Sequence, residues 1–126
     1  MGRFCIMLTV LSICAGAGNV LADEWTRRDT AIQAFSIALR VVDWSQTRYI
    51  AKHPEKYYER VNWILPEHPS TKQVDLYFAS AIIGEAVITY FLPRPWREVF
   101  QGIQIGSSSS CVMMNFRIGI GGGDWF

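Results

Sequence analysis

The sequence predicts an all-α fold: an N-terminal signal helix followed by a three-helix transmembrane bundle. Three observations carry that expectation. Half of the 126 residues are hydrophobic and only 18% are charged, against roughly 25% charged in an average soluble domain. The apolar residues fall into long runs separated by breaks rich in Pro and Gly, with no convincing strand pattern. Within two of those runs the polar residues recur at steps of three and four, the period of one helix face. Twelve Lys and Arg against eleven Asp and Glu leave a formal net charge of +1. That balance excludes a disordered charged tail and a nucleic-acid binder by bulk charge.

Residues 1–22 read as a secretory signal. Arg3 gives the positive start, and an apolar run extends from Phe4 to Ala17. Val20 and Ala22 then place small side chains where a signal peptidase needs them, and Asp23-Glu24 opens the mature chain. An uncleaved anchor fits the same residues. Lipidation at Cys14 is disfavoured by the bulky Ile13 before it. Cleavage would remove Cys5 and Cys14 and leave Cys111 without a disulfide partner in the chain. Cys111 then reads as a small packing residue.

The remainder, 23–126, reads as one helical membrane domain. The first of its helices is expected at about 25–51, ending before His53-Pro54 because proline disfavours helix in the residue ahead of it. A polar loop with Pro54, Pro66 and Pro69 follows. Ser70 is a suitable N-cap for the second helix, at about 71–92, which Pro93-Arg94-Pro95 stops. A third helix is expected at about 95–119, ending at the glycines. The second helix carries the clearest membrane signal. Leu76 to Leu92 holds one charge, Glu85, and Tyr77 and Tyr90 lie near its ends, as aromatics do at headgroup level. Its length is at the short end of the spanning range, so a buried helix of a soluble bundle stays open.

Two polar stripes mark the other helices. Asp29, Gln33, Ser36, Arg40, Asp43 and Thr47 share one face, and Gln101, Gln104, Ser108, Cys111 and Asn115 share another. In water such stripes would face solvent. In hydrocarbon they must turn inward, because an unpaired polar group there costs several kcal/mol. The candidate intramembrane polar network is therefore Arg40, Asp43, Thr47, Glu85, Gln101, Gln104 and Asn115. Glu85 is expected to pair with Arg40, with Gln101 or Gln104 as hydrogen-bond donors. A structural clamp between helices is the reading preferred over a proton relay. Small residues at Gly84, Gly102, Gly106 and Ser110 are expected at helix-packing positions, since such spacing lets backbones approach closely in membranes.

Basic residues gather in the loop between the first two helices: Arg48, Lys52, Lys56, Arg60 and Lys72. The positive-inside rule places that loop in the cytoplasm. No P-loop, dinucleotide glycine pattern, nucleophile elbow or zinc spacing occurs. His53 and His68 read as solvated loop residues. No catalytic residue, metal or cofactor is therefore expected.

Three short motifs carry a resemblance. They are Asp43-Trp44-Ser45-Gln46-Thr47, Tyr58-Glu59-Arg60-Val61-Asn62 and His68-Pro69-Ser70. Together they resemble the D-x-x-x-T, E-x-N-P and P-S elements of a group of small uncharacterised membrane proteins of bacteria and their phages. Asp43 and Thr47 match directly. Glu59 and Asn62 are one residue further apart than in that pattern, and Trp63 replaces its proline. The resemblance spans roughly residues 29–115 and implies a membrane location without an established activity; the expected location is the bacterial inner membrane, reached through the N-terminal signal sequence. The expected function is a non-catalytic assembly or membrane-modulating role. A holin-like or channel-forming phage protein and a soluble periplasmic helical bundle are the alternatives. The expected partners are the lipid bilayer, and a second copy or another membrane protein, with no nucleic acid.

Overall fold

The computed structural model describes residues 24–59 and 62–121. The expected signal segment at 1–22 lies outside the described residues. Three helices follow in order: α1 (Arg27–Lys52), α2 (Thr71–Phe91) and α3 (Trp96–Arg117). Among the described residues there is no strand.

Each helix end has a local chemical cause. Thr26 caps α1 in a box with Asp29: the Asp29 amide donates to Thr26 Oγ1 at 3.2 Å, and the Thr26 amide donates to Asp29 Oδ2 at 2.9 Å. Ser70 and Gln73 close the same box on α2, at 3.2 and 2.9 Å. Pro95 is the residue ahead of α3 and provides no side-chain cap, and the helix starts at Trp96, one position after the expected start. At the far end Gly119 has a φ of +88°. Its amide donates to the Phe116 carbonyl at 3.0 Å, and the Ile120 amide donates to the Asn115 carbonyl at 3.0 Å. This crossed pair satisfies carbonyls that the helix end would leave unpaired, and it needs a left-handed residue at its centre. Gly119→Ala should therefore cost about 1–2 kcal/mol, the strain of a Cβ in that conformation. A thermal melt in detergent checks it, and an unchanged midpoint would contradict the account.

The helices run up, down and up. Asp29 at the start of α1 lies beside Arg97 and Gln101 at the start of α3, and Asp43 and Gln46 lie beside Asn115 near its end. These contacts make α1 and α3 parallel. α2 runs against both: Glu85 meets Arg40, while Asp75, near the other end of α2, receives Trp44 Nε1 at 2.8 Å and the Arg48 guanidinium. α1 is the central element, touching α2 and α3 extensively, while α2 and α3 touch each other little.

The interior is polar and much of the exterior apolar. Gln33, Ser36, Gln46, Thr89, Arg97, Gln101, Gln104 and Ser108 are buried. Phe35, Leu76, Ile83, Phe91 and Met113 are all more than half exposed. Among the described residues a compact apolar cluster lies near the loop, where Leu65, Val74 and Phe78 pack with Trp44, Ala51 and Tyr77. Of the three helices described, α2 alone is both long and apolar enough to cross a membrane, and only 17% of its most apolar window is buried.

The four small-residue positions, Gly84, Gly102, Gly106 and Ser110, lie on outward faces of α2 and α3. An added Cβ at Gly84, Gly102 or Gly106 would meet nothing within 4 Å. Ser110 is exposed, and its hydroxyl donates back to the Gly106 carbonyl at 2.9 Å. For the three positions on α3 the reason lies in the phase of that helix. Gln101, Gln104 and Ser108 point at α1, so Gly102, Gly106 and Ser110 must point away from it. Among the described residues, no other helix approaches Gly84, Gly102 or Gly106 closely.

Candidate functional site

The polar face of α1 meets α2 and α3 in three tiers. In the tier at the start of α1, the Arg97 guanidinium is wholly buried. Its Nε donates to the Thr89 carbonyl at 3.2 Å and its Nη2 to the Tyr90 carbonyl at 3.2 Å. Its Nη1 donates to the Glu24 carbonyl and to Asp29 Oδ2, each at 3.3 Å. Arg94 adds a second cation on the same carboxylate oxygen at 2.6 Å. Trp25 covers the Arg97 guanidinium with its ring centroid 5.2 Å away, a cation–π arrangement. Gln101 belongs to this tier, donating to the Asp29 carbonyl at 3.3 Å.

In the middle tier Arg40 pairs with Glu85 through two guanidinium nitrogens. Nε lies 3.2 Å from Oε2, and Nη2 contacts Oε1. The fork geometry suits a carboxylate in a place poor in water. Gln104 links all three helices beside this pair. Its amide donates to Thr89 Oγ1 at 3.3 Å and to the Glu85 carbonyl at 3.5 Å, and its Oε1 accepts from Ser36 Oγ at 3.3 Å. Of the two expected donors to Glu85, Gln104 reaches its backbone and Gln101 serves the neighbouring tier.

In the tier nearest the loop, Asn115 Nδ2 donates to Gln46 Oε1 at 3.2 Å and approaches Asp43 Oδ1 at 3.5 Å. Thr47 is buried one turn beyond Asp43. Gln46 Nε2 donates to the Ile120 carbonyl at 3.4 Å, tying the end of α3 to α1. The loop folds over this end. Glu59 Oε1 accepts from the Asn62 amide at 2.9 Å, and Asn62 Oδ1 accepts from the Ile64 amide at 3.0 Å.

A cavity of about 550 Å³ opens between these tiers and the loop. Arg40, Asp43, Thr47, Glu85, Gln104 and Asn115 all line it, while Gln101 does not. Six of the sequence-derived network residues thus converge on one space, contributed by all three helices. No group of three or more His, Cys, Asp or Glu suited to a metal ion occurs among the described residues.

Sequence reasoning missed Arg97, the most buried cation of the described residues, and Arg94, which pairs with the same Asp29 carboxylate. A signal was present: Arg97 lies four residues before Gln101, so the stripe on α3 extends one step back to it. No family model matches the chain, and neither a curated protein nor a solved structure matches it.

Proposed function

We propose that the chain is a small integral membrane protein whose three helices cross the bacterial inner membrane, with a non-catalytic assembly or membrane-modulating role. The observation that carries this reading is the inverted distribution of side chains: buried Gln, Ser and Arg, exposed Phe, Leu, Ile and Met. In water the exposed apolar faces would favour association, and the buried amides would replace a hydrophobic core. In a bilayer both features are favourable, because apolar faces meet acyl chains and polar groups find partners only inside. α1 and α3 have 26 and 22 residues. At 1.5 Å per residue they are about 39 and 33 Å long, against a hydrocarbon core of about 30 Å.

The ends of the bundle support the same reading. Exposed Tyr90 and Trp96 lie at one end, and Tyr58 and Trp63 at the other, as expected of rings at headgroup level. Lys52, Lys56 and Lys72 are exposed at the loop end, which by the positive-inside rule would be cytoplasmic, with the segment at 1–22 directing insertion. The polar stripes of α1 and α3 find partners on each other and on α2 inside one chain. That favours a holding role for them over lining a lumen between copies.

Alkaline carbonate extraction tests the reading. The expressed protein should stay in the membrane pellet. Release into the supernatant, with the bundle intact by circular dichroism, would favour a soluble helical bundle instead.

A further inference from the structure

α2 and α3 meet near the turn that joins them, where Gln104 and Arg97 reach Thr89. Further towards the loop the cavity of about 550 Å³ lies between them, with Arg40, Asp43 and Thr47 of α1 behind it. Its outer edges carry the part-exposed Ile88 on α2 and, on α3, Ile103, Ser107 and Cys111. An added Cβ at Gly84, one turn from Ile88, would meet nothing within 4 Å, so a further helix can approach α2 closely there. The chain ahead of α1 leads to the head of this groove. The Glu24 carbonyl accepts from Arg97 Nη1 at 3.3 Å. The Trp25 ring centroid lies 5.2 Å from the Arg97 guanidinium and 5.6 Å from the Tyr90 ring. Arg97 and Tyr90 flank the turn between α2 and α3, so the chain enters α1 from over that turn. The 22 residues ahead of Asp23 would extend about 33 Å as a helix, matching the 22 residues of α3. Within them Cys5, Thr9, Ser12, Gly16 and Asn19 follow at steps of four, three, four and three, one face of a helix, as in the stripes of α1 and α3. Phe4, Ile6, Met7, Val10 and Leu11 cover the other sides. Export alone has no use for such a stripe, and in hydrocarbon it must turn towards protein.

We propose that residues 1–22 are retained as a fourth helix, which runs antiparallel to α3 and seats its polar stripe in the groove between α2 and α3. The four helices then alternate in direction along the chain. Arg3 joins the basic residues at the loop end, in keeping with the positive-inside rule. Counted back from Glu24 beside Arg97, Ser12 lies about 18 Å down the groove, between Ser107 and Cys111 at about 15 and 21 Å. The seat rests on the membrane reading above, since hydrocarbon is what turns the stripe inward.

Intact mass spectrometry of the expressed full chain should find residues 1–22 present, and a chain that begins at Asp23 overturns the proposal. Disulfide formation in isolated membranes then locates the segment. With Cys5, Cys14 and Cys111 replaced by Ser, the pair Ser12→Cys and Ser107→Cys should link within one chain under mild oxidation. Two control pairs fix the face. Cys14 retained with Ser107→Cys puts one thiol on the far side of the segment. Ser12→Cys with Phe35→Cys puts the other at the depth of Ser107 but on the exposed side of α1. Linked product should exceed both controls at least about tenfold, because a disulfide needs Cα atoms within roughly 7 Å. Ser12→Cys with the native Cys111 is a second test pair that leaves α3 unaltered. Equal yields in the controls, no link in either test pair, or links only between two copies overturn the proposal. Protein that resists carbonate extraction yet forms no link refutes the seat and leaves the membrane reading standing. Protein that carbonate releases refutes the membrane reading, and the seat with it.

Discussion

Glu85→Ala should destabilise the bundle by about 3–5 kcal/mol, the usual consequence of removing one partner from a buried ion pair. Both side chains are largely shielded, at 13% and 19% relative exposure for Arg40 and Glu85. The substitution leaves the Arg40 guanidinium without the carboxylate that takes both of its contacting nitrogens, and Asp43 is the nearest remaining carboxylate on its own helix. Arg40→Leu should cost a similar amount by stranding Glu85. The double substitution Arg40→Leu with Glu85→Leu should recover most of the loss, because no charge is then left unpaired. Unfolding in a mild detergent, followed by circular dichroism, measures all three. Additive losses in the double variant would show that the two side chains do not act as a pair.

Arg97→Ala should have an effect of similar size. It removes the donors that serve the Thr89, Tyr90 and Glu24 carbonyls, and one of the two cations on Asp29. A buried acceptor left without its donor costs about 1–3 kcal/mol, and several are left together here. The expected total is at least about 3 kcal/mol, allowing for acceptors that find other partners. Arg97→Lys should rescue little, because an ammonium cannot span carbonyls on two sides of a planar fork. A Lys variant as stable as the parent would mean that charge alone, not the fork, holds this end together. Hydrogen exchange would locate the damage: amides of the first turns of α1 and α3 should lose protection before those near Asn115.

The helices were legible because their stops are written in single residues. Pro54, Ser70, Pro93 and Gly119 each act through local backbone chemistry that needs no tertiary context. Thr26 was equally local, and its box with Asp29 follows the same rule as that of Ser70 with Gln73. The polar stripes were legible as faces, since period alone assigns them. What they faced was not. Period cannot give the offset between two helices, so Gln101 and Gln104 looked interchangeable until the register placed one beside Asp29 and the other beside Glu85. The direction in which the glycines of α3 point depends on the same register. Gly102 and Gly106 have the spacing of a packing stripe, but a helix has one face towards α1, and Gln101, Gln104 and Ser108 already hold it. The loop motif was readable only in part: Glu59 and Asn62 do engage each other, and no pattern of residue types could have placed them over Asp43.

The parallel arrangement of α1 and α3, joined by amides and a carboxylate rather than by leucines, bears on how such a chain is built. In a bilayer α1 on its own would carry Arg40 and Asp43 at mid-depth, each costing about 2.5–3.5 kcal/mol on an insertion scale. Glu85 arrives more than forty residues later, and Asn115 later still. The first helix is therefore a poor substrate for release into lipid by itself. Biogenesis would hold it at the insertion machinery until α2 and α3 emerge, and then release the three together. Truncation after α2 should leave a nascent chain that the cell's quality control removes.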